Sequence, residues 1–127
     1  MTAPGPAGTL TLQTIAMPAD TNANGDIFGG WLMAQMDLGG SILAKGRSQG
    51  RVATIAVDGM TFHKPVHVGD VVSIFAEMLH EGRTSMQIGV EAWTKRFPGG
   101  ERVRVTEAKF SFVAVDSGGL KRQLPPI

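Results

Sequence analysis

One acid stands out in residues 17 to 45, MPADTNANGDIFGGWLMAQMDLGGSILAK: Asp37, set among mostly apolar neighbours. From the Gly29-Gly30 pair onward, Trp31, Leu32, Met33, Met36, Leu38, Ile42 and Leu43 fall on nearly every side of a 3.6-residue period, the pattern of a helix buried all round. A carboxylate carried into such surroundings loses hydration worth roughly several kcal/mol unless it is hydrogen-bonded, paired or held for chemistry. Asp37 is therefore the first candidate catalytic group, and a structural acid bonded to neighbouring hydroxyls is the competing reading.

The helix start offers a second chemical element. Free N–H groups at Gly29-Gly30 point outward with the positive end of the helix dipole, and the missing side chains let an oxygen approach. Gly29 and Asp37 are eight residues apart, about 12 Å along a helix, so one chain cannot bring both to one carbonyl carbon. Two chains about a two-fold axis can, with Asp37 of one helix facing the Gly29-Gly30 start of the other and two equivalent sites per dimer. Gly39 and Gly40 fit a dimer, since glycines inside a helix cost about 1 kcal/mol each relative to alanine and imply close packing.

The elements that must hold these groups follow from pattern and punctuation. A first strand is expected over Thr9 to Met17, stopped by Pro18. Asp26 reads as a cap for the helix, which is expected to end near Lys45-Gly46. Four β-rich runs follow, Val52 to His63, Asp70 to His80, Thr84 to Phe97 and Arg102 to Asp116, and the short turns between them favour antiparallel hairpins. In the last run Val103, Val105, Phe110, Phe112 and Ala114 alternate with polar residues, and Glu107-Ala108 shifts the register as a bulge would. With one helix available, the expected fold is α+β: an antiparallel sheet of five or six strands wrapped around it, in a single domain over residues 1–127 with flexible ends at about 1–8 and 118–127.

The spaced motifs Asp20-Thr21-Asn22, Gly25-Asp26, Gly29-Gly30-Trp31 and Met36-Asp37-Leu38-Gly39-Gly40 closely resemble acyl-CoA thioesterases of the hotdog fold, in particular the small bacterial YciA-type hydrolases. Val57-Asp58-Gly59-Met60-Thr61-Phe62, Lys64-Pro65-Val66, Val68-Gly69-Asp70 and Phe112-Val113-Ala114-Val115-Asp116 extend the resemblance over nearly the whole chain. The resemblance implies hydrolysis of acyl-CoA, with the Gly29 amide polarising the thioester carbonyl and Asp37 activating water or attacking directly. It further implies that Asn22 orients substrate or water, that Ser41 lies near the carboxylate, and that three dimers assemble into a hexamer. Coenzyme A is then part of the substrate, with no cofactor and no metal. Many relatives carry His before the Gly-Gly pair where this chain has Phe28, so a histidine base is unsupported, and His63, His67 and His80 read as surface or satisfied imidazoles.

Composition sets the outer limits. A length of 127 residues fits one domain, 43% apolar residues allow one sizeable core, and zero cysteines exclude disulfide, thiolate and zinc-thiolate chemistry. A net charge of +1 gives no case for nucleic-acid binding, and the N-terminus MTAPGPAGTL has no secretory pattern, so the expected setting is cytoplasmic and off the membrane. Phosphates of coenzyme A call for a local group of bases, of which Arg83 with Thr84 and Ser85 in one turn is the best placed, and Lys64 is carried beside it. A non-catalytic acyl-CoA-binding module of the same fold is the alternative function.

Overall fold

A computed structural model describes residues 5–127. It contains strand β1 (Thr9–Ile15), a 3-10 turn (Pro18–Asp20), helix α1 (Gly29–Ser48) and strands β2 (Val52–Phe62), β3 (Val71–Glu81), β4 (Ser85–Lys95) and β5 (Arg102–Ala114). The strands form one antiparallel sheet in the order β1-β3-β4-β5-β2, which carries α1 on one face: the hotdog arrangement, with five strands.

Two of the expected hairpins are present, β3 with β4 and β4 with β5. The third is absent, because β2 pairs with β5 at the far edge and not with its successor β3. Residues 63–70 therefore cross the end of the sheet, anchored where His63 N–H donates to the Val105 carbonyl at 2.7 Å and Ala16 N–H to that of Asp70 at 3.0 Å. Against β4 the extra residue of β5 is Val105, since Ala92 faces Thr106 while Trp93 faces Arg104; at Glu107-Ala108 the register does shift against β2, where Asp58 faces Lys109 and Thr61 faces Glu107, but the extra residue there lies in β2. The extra residue of β5 joins the phase of Val103 to the opposite phase of Phe110 and Phe112, so Val105 and Thr106 are buried in succession.

Helix α1 lays Leu32, Met36, Gly39, Gly40 and Ala44 on the sheet, against a core that includes Ile74, Val90, Phe110 and Phe112. Gly39 and Gly40 serve this contact within the chain, which corrects their expected role at a dimer interface. A Cβ on Gly39 would stand 2.5 Å from the Ile74 side chain, and one on Gly40 would stand 3.2 Å from Phe112 and Val90. The opposite stripe of the helix is uncovered, with Leu38 and Ile42 about half exposed at 53% and 48%. Within one chain the helix is thus not buried all round. Strand β2 ends the sheet beside it with one edge unpaired among the described residues and Ile55 exposed.

Both ends of the elements differ slightly from expectation. β1 stops at Ile15, and the helix runs past Gly46 to Ser48, where Gln49 takes a left-handed conformation (φ 56°, ψ 39°). The Arg122 guanidinium donates to the Ser48 carbonyl at 2.9 Å and to that of Val115 at 3.0 Å, satisfying the helix end, and Leu124 N–H donates to the Arg83 carbonyl at 2.8 Å. These bonds hold part of the C-terminal stretch for which the sequence suggested a flexible end. Residues 1–4 of the N-terminal stretch lie outside the described residues. Among the described residues no helix is long and apolar enough to cross a membrane.

Asp70 locks the crossing segment to the sheet. Its carboxylate, 1% exposed, accepts from Arg96 at 2.9 and 3.2 Å and from the His67 N–H at 3.0 Å. Burial pushes this carboxyl up, but the bonds from Arg96 and His67 outweigh it and hold the group below the usual aspartate value. Stability contributed by Asp70 is therefore complete above about pH 4 and lost as pH falls through the lowered native value. Asp70→Asn is expected to cost about 2 kcal/mol at neutral pH, a gap that closes on acidification. Urea unfolding of both proteins across pH measures it, and a gap independent of pH would count against the ion pair.

The two glycine environments in α1 predict opposite effects of the same change. Gly39→Ala is expected to destabilise by about 1–3 kcal/mol, because overpacking against Ile74 exceeds the gain of about 1 kcal/mol in helix propensity. Gly46→Ala meets nothing within 4 Å and should stabilise by about 0.5–1 kcal/mol. Thermal melting of the two variants checks the pair, and equal signs would refute the packing argument.

Candidate active site

The loop before α1 is organised by Asn22. Its side-chain oxygen accepts from the N–H groups of Asn24 at 2.9 Å and Asp26 at 3.2 Å, while its own N–H donates to the Asp26 carbonyl at 2.7 Å. Asp26 joins this loop through its backbone, and its side chain does not cap the helix. The N-cap position is Phe28, whose side chain has no acceptor, so no side-chain bond closes the helix start. The first intrahelical-type bond recorded there is Leu32 N–H to the Phe28 carbonyl at 3.2 Å. The N–H groups of Gly29, Gly30 and Trp31 are left to point outward with the dipole of a 20-residue helix behind them.

The two glycines at this tip differ. A Cβ on Gly30 would meet nothing within 4 Å, whereas one on Gly29 would stand 3.3 Å from the Phe62 ring. Gly30 is the bare, open side of the tip, and the space that a side chain at Gly29 would fill is used by Phe62. Beside Gly29 lies a depression of about 370 Å³, lined by Ile27, Phe28, Leu32, Phe62, Lys64 and Val66. His63 also borders it, so a histidine does stand near the tip. Its Nε2 lies 3.1 Å from Glu107 Oε1.

Asp37 lies on the uncovered stripe of α1 and is half-buried, not sunk in the core. Its Oδ1 accepts a hydrogen bond of 2.7 Å from Thr54 Oγ1, on the edge strand β2. Sequence reasoning missed Thr54. The two residues are 17 positions apart on different elements, and the only signal was a hydroxyl in an otherwise largely apolar strand. Ser41 Oγ donates to the Leu38 carbonyl at 2.7 Å, so its hydroxyl is spent on its own helix and no bond to Asp37 is recorded.

The fold groups Gly29 with Lys64 among the expected site residues and joins Asp37 to Thr54, but leaves these two groups apart. The turn carrying Arg83, Thr84 and Ser85 lies at the other end of the molecule. Ser85 faces Val113, which faces Ala53 just after the helix, and Arg47 in the last turn of α1 binds Glu81 at 2.9 Å. That turn is separated from Gly29 by a helix about 30 Å long. Bases at the Gly29 end are mostly engaged: Arg96 with Asp70, Arg104 with Glu107 at 3.2 Å, Arg102 over the rings of Phe75 and Trp93, and Lys95 over Phe97. Lys64 makes no salt bridge among the described residues. Nor do those residues include a group of three or more His, Cys, Asp and Glu side chains placed to hold a metal ion.

Known proteins match this chain along nearly its full length. The thioesterase superfamily model matches residues 24–96. The acyl-CoA thioester hydrolase YciA of Escherichia coli is 58% identical over 123 residues, covering 94% of this chain and 93% of that protein. Among solved structures, the hexameric thioesterase of Yersinia pestis superimposes with a TM-score of 0.92 at 59% identity, covering 96% of this chain and 99% of that one. A hexameric broad specificity acyl-coenzyme A thioesterase also gives 0.92, at 55% identity over 97% of this chain and 85% of that one.

Proposed function

The chain belongs to the thioesterase superfamily, and from that membership we propose that it hydrolyses acyl-CoA to the free carboxylic acid and coenzyme A at a site built by two copies of itself. The observation that carries this reading is the uncapped start of α1, with its outward N–H groups, on a helix whose carboxylate lies on the uncovered stripe about 12 Å away. Antiparallel pairing of two such helices about a two-fold axis near the exposed Met33, midway between Gly29 and Asp37, brings Asp37 of one to the tip of the other. The hexameric relatives support a further assembly into a trimer of dimers.

At such a site the thioester oxygen accepts from the Gly29 N–H of one chain, with Gly30 leaving open space beside it, so the carbonyl carbon becomes more electrophilic. The partner's Asp37, held through Oδ1 by Thr54, has Oδ2 available to take a proton from water or to attack the carbon itself. In the first course hydroxide adds to the carbon, the oxyanion is held by the helix tip, the C–S bond breaks and the thiolate recovers the proton from Asp37. In the second, an acyl-aspartyl anhydride forms as the thiolate leaves, and water then hydrolyses it. Asn22 contributes by fixing the loop that leaves the tip uncapped.

The same symmetry accounts for the distant turn. Residues 38–48 of the partner helix continue about 16 Å past the first chain's Gly29, which carries the partner's Arg83 turn over the site mouth that Lys64 borders. Both cations can then meet phosphates of one coenzyme A.

Asp37→Ala and Asp37→Asn are each expected to lower kcat by about 10²–10⁴ while acyl-CoA binding persists in calorimetry. Gly29→Pro removes the polarising N–H at a first helical position whose backbone suits proline, with the Phe62 ring giving way slightly, and should also be inactive. Co-expressing Asp37→Ala with Gly29→Pro should restore about one quarter of wild-type activity, because half of randomly formed dimers are mixed and each mixed dimer holds one intact site. No recovery would mean that each chain works alone, and unchanged turnover of Asp37→Ala would remove that residue from the mechanism.

A further inference from the structure

The C-terminal stretch is bonded to the end of α1 at two points, and between them it holds the Arg83 turn. Arg122 N–H donates to the Ala114 carbonyl at 2.9 Å, and the Arg122 guanidinium donates to the Ser48 carbonyl at the helix end. Just beyond, the Pro125 carbonyl accepts from Arg47 Nη1 at 2.8 Å, while Arg47 Nε binds Glu81, the last residue of β3. Between these anchors Leu124 packs its side chain against the core and gives its N–H to the Arg83 carbonyl at 2.8 Å. The sheet closes the same turn through Gly82 N–H to the Ser85 carbonyl and Ala114 N–H to the Thr84 carbonyl, both at 2.8 Å. The bond from Leu124 is the one that links the turn, through the anchored tail, to the end of α1. The backbone of the turn is thus held at three points, whereas the Arg83 side chain is exposed and makes no salt bridge among the described residues.

We propose that residues 122–125 are a positioning clasp, with Leu124 at its centre, that sets the Arg83 guanidinium at a fixed reach from the end of its own helix so that it meets the phosphates of coenzyme A in the partner's site. The inference rests on the two-chain thioesterase site described above. In that site the distance from one chain's Gly29 to the Arg83 turn of the other is set along the second chain's helix. A turn tied to the end of that helix keeps its cation in register with the site mouth, and a turn free to swing spreads it over many positions. An arginine whose backbone is ordered before its ligand arrives loses less entropy on binding. The clasp touches neither thioester nor phosphate, so its effect falls on the half of the substrate that carries the phosphates and reaches them only through Arg83.

The test compares kcat/KM for butanoyl-CoA with that for S-butanoyl-pantetheine, which presents the same thioester without phosphates, in full-length wild type, Leu124→Pro, Leu124→Ala and Arg83→Gln. Leu124→Pro removes the N–H that holds Arg83, whereas Leu124→Ala trims the packed side chain and keeps that N–H. Leu124→Pro and Arg83→Gln should each lower the ratio of CoA to pantetheine substrate by about 10-fold, through KM and not kcat, with Leu124→Ala near wild type. In the Arg83→Gln background, Leu124→Pro should lower it no further. The ratio is internal to each variant, so a loss of folded protein does not alter it. A ratio unmoved by Leu124→Pro, or a loss that persists in full without Arg83, overturns the clasp. A ratio unmoved by Arg83→Gln overturns the phosphate role of the turn and the clasp with it, while leaving the hydrolase reading intact. A wild-type protein inactive on every acyl-CoA overturns both readings.

Discussion

A single helix with two apolar faces cannot be satisfied by one sheet, and the rest of this structure depends on that constraint. The inner face of α1 is brought close to the sheet by Gly39 and Gly40, whose missing side chains make room for Ile74, Phe112 and Val90. The outer face, with Leu38, Ile42 and the carboxylate of Asp37, is left uncovered. A second copy is the natural cover for such a face.

The helix start shows the complementary compromise. A capped N-terminus would contribute about 1 kcal/mol, yet the chain places Phe28 at the capping position and spends Asn22 and Asp26 on the loop before it. Unmade hydrogen bonds at a helix tip are a local cost that makes sense where an incoming oxygen completes them. The residue choices around the tip agree with this, since Gly30 faces open space and the exposed rings of Phe28 and Phe62 flank the amides.

Charge is distributed by the same logic. Arg96, Arg102, Arg104 and Lys95 surround the Gly29 end, but each is tied to a carboxylate or stacked on a ring, and Asp70 with Arg96 holds the segment that crosses the sheet end. The net charge of +1 is therefore uninformative about anion binding. Which cations stay available is a matter of partners, and Lys64 lacks an ionic one among the described residues.

Local patterns were readable from the chain alone. Alternation and turn residues place all five strands within one or two residues of their observed limits, and the Gly-Gly pair marks the helix start, because such periodicities are imposed by the backbone of each element separately. The acid at position 37 was visible as well, but its surroundings were not: it lies half-buried on the uncovered stripe of α1, not in the core. Contacts between elements were not readable. That β2 joins β5, that the bulge sits at Val105, that Thr54 holds Asp37, that Gly39 and Gly40 face the sheet, and that Asp26 leaves the helix uncapped all depend on long-range pairing. A one-dimensional pattern records how a segment repeats, not which distant neighbour fills the space beside it, and only folding in three dimensions decides that.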